Sequence, residues 1–299
     1  MKKIDVYFVQ KVINVLDKYV RARRKNEPSQ WDALFIGKDK YVHQLSEGLK
    51  MNLYKDSVIS ELIFEGFEKN EELFIQNLLK PGDTFIDIGA NAGLHSLVAA
   101  KALNGKGKVY AFEPTPKTIK RLTENVELNN LSEHISVQPV GLSNQNGELK
   151  LNLADNGYDA WNSFVNLTHI AVSNHVNVPV ITFDSFVQDN NIDISEISLV
   201  KIDVEGWEIN VLEGMKKTLA NDNFNSSFLI EFTEENMFRA GYSCKELYNY
   251  LLNRGYKWFE YDAASNQLKP SELKAYYPYE NLIATKNPEP VNACLKQGS

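Results

Sequence analysis

A repeating order of short apolar runs and helical segments fills most of the chain from about residue 58, and it limits the fold more than any other feature. The runs are apolar without alternation, which is typical of strands buried on both faces, and most are followed by a segment with helical spacing. We therefore predict an α/β fold with a doubly wound, mostly parallel, seven-stranded sheet of the Rossmann-like type. The predicted strands are residues 84–88, 108–112, 135–140, 199–202, 228–232, 256–261 and 281–285.

Two regions lie outside this order. Residues 1–50 are predicted to form an N-terminal helical extension, because apolar residues between Ile4 and Tyr19 recur on one helical face, and residues 51–299 are predicted to form the main domain. The helix is expected to pack on that domain or on a second subunit of a homodimer, and a membrane surface is the less favoured alternative. The stretch from Gly141 to Asp184 has β-type fragments around a polar centre, so it is expected to shape a substrate site or to cover a sheet edge.

Composition argues against several classes of function. The chain has 299 residues and a net charge of −7, which argues against a broad surface for nucleic acid. No apolar run in the sequence reaches the roughly 18 residues that a membrane-spanning helix needs. Cys244 and Cys294 fit neither a disulfide framework nor a zinc site, so both are expected to be free thiols and the protein is expected to be cytoplasmic.

The segment from Asp87 to Gly93 joins the first strand to a helix, at the strand end where open α/β sheets bind ligands. Its glycines allow a sharp turn and a close approach of the backbone to a ligand. The spacing is Gly89-x-x-x-Gly93, with Asn91 at the place of the second glycine of the dinucleotide fingerprint, so NAD and FAD are disfavoured. Glu113 ends the second strand, where a carboxylate can accept hydrogen bonds from both ribose hydroxyls of an adenosyl group.

A second dense group of charges follows the fourth strand, from Lys201 to Glu208. Side chains alternate along a strand, so Lys201 and Asp203 are predicted to share a face that ends at the same edge as the glycine loop. Charges this close in sequence are costly unless they are paired, and perturbed charges cluster at active sites. The structural alternative is a salt-bridged strand end with an acid at the start of the next helix.

Three segments of the chain carry a family resemblance: Phe85-Ile86-Asp87-Ile88-Gly89-Ala90-Asn91-Ala92-Gly93, Ala111-Phe112-Glu113-Pro114 and Lys201-Ile202-Asp203-Val204-Glu205-Gly206-Trp207-Glu208. They resemble the FkbM-type family of class I methyltransferases, and the similarity covers roughly residues 52–285. The third segment is the most specific, since the other two occur across many methyltransferases. The resemblance implies S-adenosylmethionine as the cofactor and methyl transfer to a hydroxyl of a sugar, a glycan precursor or a natural-product-like molecule.

With S-adenosylmethionine as the implied cofactor, the glycine loop takes the expected cofactor-binding residues. The residues expected around the methionine and ribose are Asp87, Gly89, Asn91 and Gly93, and Glu113 is expected on the ribose hydroxyls. Two other classes of function stay open, a non-catalytic S-adenosylmethionine-binding module and an NAD-linked oxidoreductase.

The acceptor is expected to be a small molecule or a carbohydrate. Asp203 and Glu205 are expected to contact or deprotonate it, and Lys201 to hold one of them ionised or to steer the acceptor. Glu231, at the end of the fifth strand, is a weaker candidate for this role. Asp203 and Glu231 are also placed to hold a divalent cation, but the sequence indicates no third ligand, so a metal is not expected.

Overall fold

A computed structural model describes residues 29–154, 162–165 and 172–297. The helix predicted between Ile4 and Tyr19 lies outside the described residues and stays a prediction, as does its part in a homodimer. None of the helices in the described ranges has the length and apolar character that crossing a membrane requires.

The secondary structure follows the predicted order closely. The strands of the described residues are β1 (Lys40–Gln44), β2 (Lys50–Tyr54), β3 (Thr84–Ile88), β4 (Lys108–Phe112), β5 (Ile135–Gln138), β6 (Gly141–Leu142), β7 (Gly147–Ala154), β8 (Val172–Ile181), β9 (Ile197–Ile202), β10 (Ser227–Phe232), β11 (Lys257–Asp262), β12 (Gln267–Pro270) and β13 (Glu280–Thr285). The α-helices of the described residues are α1 (Gln30–Leu34), α2 (Val58–Glu65), α3 (Lys69–Leu78), α4 (Leu94–Ala102), α5 (Pro116–Leu128), α6 (Phe183–Asp189), α7 (Glu208–Glu213), α8 (Lys216–Leu219), α9 (Glu234–Arg239), α10 (Cys244–Leu252) and α11 (Pro288–Gln297).

The central sheet has the strand order β12-β11-β13-β10-β9-β3-β4-β5. The five strands from β10 to β5 in this order pair in parallel, and β13, β11 and β12 are antiparallel, which confirms the doubly wound, mostly parallel sheet. The sheet has one strand more than predicted, because β12 pairs with β11 at its edge. That strand is short and polar and ends in Pro270, so its sequence has no strand periodicity, and proline is tolerated there since the strand lies at an edge.

The sheet separates two hydrophobic cores. Alternation along β3 and β9 directs Phe85 and Leu199 to one core, and Ile86 and Val200 to the other. Helices α3, α4 and α11 contribute to the first core, and α6, α7 and α10 to the second. Strands covered on both faces need apolar side chains at nearly every position, which is why they are visible in the sequence as continuous apolar runs.

The helical pattern from residue 58 to residue 79 forms two helices, α2 and α3, instead of one. Gly66 ends α2 in the left-handed conformation with φ of 92°, and Glu68 precedes α3 with φ of 54°. A left-handed glycine is a common helix terminator. The break brings Glu68 over the sheet, next to the charged residues at the end of β9.

Strands β1 and β2 form an antiparallel hairpin that packs on the first core. Trp31, Phe35 and Leu49 are buried in the same core as Phe85. The boundary predicted between residues 50 and 51 falls at the first residue of β2, so residues 29–50 share the core of the main domain.

The stretch from Gly141 to Asp184 carries a separate three-stranded sheet with the order β6-β8-β7. Strand β8 pairs in parallel with β6 and antiparallel with β7. Most of the polar centre that joins β7 to β8 lies outside the described residues, whereas residues 162–165 are described and contact the central domain.

Candidate active site

The candidate site lies where β3 and β9 are neighbours in the sheet, although residues 89–196 lie between them in sequence. The chain leaves β3 toward β4 on one side, and β10 follows β9 on the other, so this is the topological switch point of the sheet. Asp87 is in register with Lys201, and the backbone N–H of Asp203 donates to the carbonyl oxygen of Ile88 at 3.0 Å. The glycine loop and the second charged segment therefore meet at one edge, where α/β proteins form a ligand crevice.

Gly89 is required by the packing of the protein itself, and Gly93 packs closely against the side chain of Leu122. A Cβ atom at Gly89 would lie 1.8 Å from the backbone oxygen of Asp203, and one at Gly93 would lie 2.4 Å from Cδ1 of Leu122. Both residues also have positive φ, 83° and 96°. Gly89, which is predicted to let a ligand approach the backbone, thus also has a structural reason to be glycine, namely its contact with Asp203 at the end of β9.

Glu113 contacts the glycine loop as well as its own turn. Its Oε2 accepts a hydrogen bond from the backbone N–H of Asn91 at 3.2 Å, and its Oε1 accepts one from the N–H of Thr115 at 2.8 Å. A carboxylate oxygen can accept more than one hydrogen bond. The acid predicted to bind ribose therefore also fixes the loop backbone that would surround the cofactor.

Asn125, a buried residue of α5, holds the other side of the loop. Its Nδ2 donates to the carbonyl oxygen of Ala92 at 2.9 Å, and its Oδ1 accepts from the N–H of Asn52 in β2 at 2.7 Å. The hairpin and the glycine loop are thereby joined through a single side chain.

Asp87 and Lys201 form the buried floor between the two segments. Ser96 Oγ donates to Oδ2 of Asp87 at 2.6 Å, and Oδ1 of Asp87 has no hydrogen-bond partner among the described residues. Lys201 is 2% exposed, and its Nζ donates to Oδ2 of Asp203 at 2.7 Å. Burial alone lowers the pKa of Lys201, but the carboxylates of Asp203, Glu68 and Asp87 outweigh it and raise the pKa above its usual range. The raised pKa favours the charged form of Lys201 at this buried position.

Glu205 follows β9 in a left-handed conformation, with φ of 53°. Asn236 Nδ2 donates to its Oε2 at 2.6 Å. Burial raises the pKa of Glu205 well above its usual range, and the charges of Asp203 and Glu208 add to the effect. A carboxylate in such an environment is more basic than a solvated one.

Glu231 lies at the end of β10, with its carboxyl group beside those of Asp203 and Glu205. Thr233 Oγ1 donates to its Oε1 at 2.7 Å. Burial raises the pKa of Glu231 well above its usual range, and Glu205 and Asp203 raise it further. The weaker sequence candidate is thus part of the same acidic group.

Glu208, the first residue of α7, supports the turn that carries Glu205. Its Oε1 accepts from the backbone N–H groups of Val204 and Gly206, at 3.2 and 3.1 Å. Burial raises the pKa of Glu208 to about 7, although these hydrogen bonds oppose the shift. The turn needs glycine at position 206, because a Cβ there would lie 2.5 Å from the backbone oxygen of Asn236.

Sequence reasoning missed Glu68, whose charge acts on Lys201. Its Oε1 accepts from the hydroxyl of Tyr279 at 2.6 Å and from Nδ2 of Asn281 at 3.0 Å, and its Oε2 lies 3.4 Å from Nε2 of His95. Burial and then Lys201 lower the pKa of His95 well below its usual range, so this contact involves a neutral imidazole. The signal in the sequence was the Gly66 break in the helical pattern, which we did not interpret as a turn into the site.

The three-stranded sheet reaches the site through residues 162–165. Ser163 Oγ donates to the backbone oxygen of Glu205 at 2.8 Å, and the rings of Phe164 and Trp207 lie 5.5 Å apart. The stretch that was expected to shape a substrate site or cover an edge thus contacts the predicted catalytic segment directly.

Comparison with protein families gives a match to the methyltransferase FkbM domain over residues 87–258. The match begins at Asp87 and includes Glu113 and the whole segment from Lys201 to Glu208. It covers more than half of the chain, so it shows the family and not merely the fold.

Individual relatives are more distant. The hexuronic acid methyltransferase AglP of Haloferax volcanii is 32% identical over 148 residues, which are 48% of this chain and 54% of that protein. The 2-O-methyltransferase NoeI of Sinorhizobium fredii is 24% identical over 54% of this chain and 68% of its own length. The match therefore spans about half of the length of AglP.

Among solved structures, the FkbM methyltransferase of Methylobacillus flagellatus is 15% identical, with a TM-score of 0.44 over 69% of this chain and 44% of that one. The family match, which holds both the glycine loop and the acidic segment, carries the assignment. This chain belongs to the FkbM family of methyltransferases.

Proposed function

We propose that the protein is an S-adenosylmethionine-dependent O-methyltransferase whose acceptor is a hydroxyl of a carbohydrate or of a similar small molecule. The observation that carries the proposal is the meeting of two unlike segments at the switch point. One is a glycine loop that leaves Asp87 Oδ1 buried and unpaired among the described residues, and the other is a buried group of carboxylates around Lys201.

On the cofactor side, the residues present fit S-adenosylmethionine. Asp87, Gly89, Asn91 and Gly93 would hold its methionine and ribose, and Glu113 would accept hydrogen bonds from the ribose hydroxyls. The buried Oδ1 of Asp87 is an acceptor that a ligand donor would satisfy. When bound, the cofactor supplies an electrophilic methyl group on a sulfonium.

On the acceptor side, Asp203 and Glu205 would bind and deprotonate the hydroxyl. An alcohol is a weak nucleophile, so a base that removes its proton as the carbon–oxygen bond forms accelerates the transfer. Glu205 has the raised pKa of such a base, and Asn236 holds its Oε2, so the proton would pass to Oε1. Lys201 would fix the orientation of Asp203 through the hydrogen bond that its Nζ donates.

The names of two relatives support a sugar hydroxyl as acceptor. AglP is a hexuronic acid methyltransferase and NoeI a 2-O-methyltransferase. The absence of a broad basic surface, inferred from the charge of −7, supports a small acceptor over nucleic acid, and this remains a prediction.

Calorimetric titration with S-adenosylmethionine and, in parallel, NADH tests the cofactor. We expect micromolar binding of S-adenosylmethionine, about −8 kcal/mol, and clear weakening in Glu113→Ala. The control is Glu127→Ala, which removes an exposed carboxylate from the adjacent helix α5. Selective binding of NADH would replace the proposal with the oxidoreductase alternative.

Transfer of a labelled methyl group to a panel of acceptors tests the reaction. The panel contains hexuronic acids, neutral hexosides, a phenol and a transfer RNA. We expect a labelled sugar ether that resists mild base, because an ether survives conditions that cleave a methyl ester. Cofactor binding without transfer to any acceptor would favour the non-catalytic alternative.

A further inference from the structure

Three carboxylates from separate segments converge beside the switch point. Asp203 follows β9, Glu205 lies in the turn before α7, and Glu231 lies in β10. Each offers one oxygen, and these oxygens all lie within 4.8 Å of one another. The sequence suggested two of these as cation ligands but not the third, because the role of Glu205 depends on a left-handed turn that directs its side chain back toward β10.

The acidic group also contains an oxygen that the protein leaves unsatisfied. Glu231 is 4% exposed, and its Oε2 has no hydrogen-bond partner among the described residues. Glu208, 1% exposed, likewise has an unpaired Oε2 within the described part of the chain. Buried polar atoms nearly always have a partner, so an orphaned carboxylate oxygen beside two other carboxylates points to a missing cationic partner.

Lys201 does not supply that partner. Its Nζ donates to Asp203, its charge also acts on Glu68, Asp87 and Glu205, and its effect on Glu231 is not among the main causes of that group's raised pKa. Four carboxyl groups, those of Asp203, Glu205, Glu208 and Glu231, lie close enough to influence one another, and their ionised forms together would carry more negative charge than Lys201 offsets.

We propose that Asp203, Glu205 and Glu231 form a binding site for one divalent cation. Carboxylate oxygens are hard ligands and select Ca²⁺, Mn²⁺ or Mg²⁺ over softer metals. Opposite ligands at roughly 2.3–2.6 Å from Ca²⁺ lie about 5 Å apart, and around Mg²⁺ about 4 Å apart. Only one pair among three ligands can be opposite, so the three oxygens, which lie within 4.8 Å of one another, would draw closer by small side-chain rotations to bind one cation.

The cation would act in the acceptor site. Three protein ligands leave coordination positions open, which two neighbouring oxygens of a sugar would fill, and a hydroxyl bound to a divalent cation loses its proton more readily. The cation would hold Glu205 through Oε2, which also accepts the hydrogen bond from Asn236, and Oε1 would remain to accept the proton. This step rests on the proposed function, whereas the cation site itself does not.

A proton shared among the carboxyl groups is the competing explanation for the unpaired oxygen, since burial raises the pKa of both Glu205 and Glu231. The two explanations differ in a measurable way. A shared proton makes the group indifferent to divalent cations near neutral pH, whereas a cation site gives saturable binding.

The test is a titration of chelator-treated protein with Mn²⁺, in which the free ion is measured by electron paramagnetic resonance and bound Mn²⁺ is then displaced with Mg²⁺ or Ca²⁺. We expect one saturable site per chain, with affinity at least about tenfold weaker in Glu231→Gln. Glu127→Gln, which removes an exposed carboxylate, should bind as the wild type does. No saturable binding, or equal binding in Glu231→Gln, overturns the proposal.

Thermal melting shows that the variant is folded and gives a second measurement. In chelator, Glu231→Gln should melt at or above the temperature of the wild type, because it removes one of several like charges. Added Mn²⁺ should raise the melting temperature of the wild type and not that of the variant. If Glu231→Gln does not fold, Glu205→Gln replaces it, since the amide oxygen can still accept the hydrogen bond from Asn236.

Calorimetry with S-adenosylmethionine in chelator separates this inference from the proposed function. Mn²⁺ binding without cofactor binding leaves the cation site standing and removes the methyltransferase proposal for this chain. Cofactor binding without Mn²⁺ binding removes the cation site and leaves the methyltransferase proposal standing.

Discussion

The two sides of the switch point satisfy their polar groups in different ways. On the β3 side, the acidic and amide side chains of Glu113 and Asn125 are bonded to backbone groups of the glycine loop and its surroundings. On the β9 and β10 side, carboxyl groups face one another, and Glu231 keeps an unpaired oxygen among the described residues.

The comparison distinguishes the geometry of the loop side from the charge of the acidic side. The loop side is held mainly by hydrogen bonds and close contacts of the protein's own atoms, and the exception among the described residues is Oδ1 of Asp87, which has no partner. On the acidic side, hydrogen bonds hold the carboxyl groups in place, but their charges repel one another. The stability and protonation of this side should therefore depend on pH and on bound cations. Substitutions on the loop side should therefore act on folding and cofactor affinity, and those on the acidic side on the response to pH.

The largest effect is expected on the loop side, from Gly89→Ala. The new Cβ would lie 1.8 Å from the backbone oxygen of Asp203, so β3 and β9 must separate. We expect a loss of about 4 kcal/mol or more in the free energy of unfolding, measured with denaturant. Gly255→Ala is the matched control, since Gly255 has φ of 87° with no atom within 4 Å of a Cβ, and it should cost only about 1 kcal/mol. Equal losses in the two variants would mean that backbone conformation, and not the contact, requires Gly89.

Lys201→Met should have the next largest effect, because it leaves the buried Asp87 and the partly buried Asp203 near Glu68 without their cation. Removing one partner of a buried ion pair costs about 3 kcal/mol or more in unfolding free energy. Lys257→Met, at an exposed position of β11, provides the comparison and should change stability little. A loss no larger than that of Lys257→Met would show that the acids around Lys201 are protonated when it is absent.

The acidic side should make the metal-free protein less stable as the pH rises. An acid whose pKa is higher in the folded state contributes stability below its unfolded pKa and loses it as the pH rises toward the folded value. For Glu208 this window runs from 4.5 to about 7, and for Glu205 and Glu231 it begins at the same value and extends well upward. The melting temperature in chelator should fall between about pH 5 and pH 8.

Glu231→Gln should reduce this fall, because it removes one of the carboxyl groups whose pKa burial raises. Comparison of the two proteins removes the contribution of His95, whose lowered pKa acts in the opposite direction in both. Parallel curves for wild type and variant would exclude Glu231 as a source of the pH dependence.

The smallest effect is expected from Ser163→Ala, which removes the hydrogen bond from the three-stranded sheet to the backbone oxygen of Glu205. We expect a loss of about 1 kcal/mol in unfolding free energy. Ser265→Ala, which removes a surface hydrogen bond to Asp262, should cost less. An apparent acceptor KM that rises in Ser163→Ala but not in Ser265→Ala would connect the three-stranded sheet to acceptor binding.

The sequence predicted the fold well where burial on both faces left an unbroken apolar run, as in β3, β9 and β10. It failed at β12, because an edge strand needs no such run, and at residue 66, where one glycine divides a helical pattern into α2 and α3. The same break concealed Glu68, whose place in the site depends on contacts with β13 and α4.

Within the site, the order of strands and loops along the sequence located several residues, whereas contacts between segments distant in sequence could not be predicted. Asp87, Glu113 and Asp203 could be placed because each ends a recognisable strand of a known sheet edge. The convergence of Glu205 with Glu231 could not be predicted, since it depends on the pairing of β9 with β10 and on a left-handed turn. The roles of all these residues in cofactor and acceptor binding stay predictions.

The side chain of Asn125 connects the glycine loop to a backbone amide in β2. The backbone N–H of Asn52 donates to Oδ1 of Asn125, and Nδ2 of the same amide donates to the carbonyl oxygen of Ala92, so a movement of the loop that displaces Asn125 would also disturb β2. Hydrogen–deuterium exchange at the single amide of Asn52 should therefore time the opening of the loop. The opening of the loop can thus be followed at a residue of the β1–β2 hairpin, without a bound ligand and without catalytic turnover.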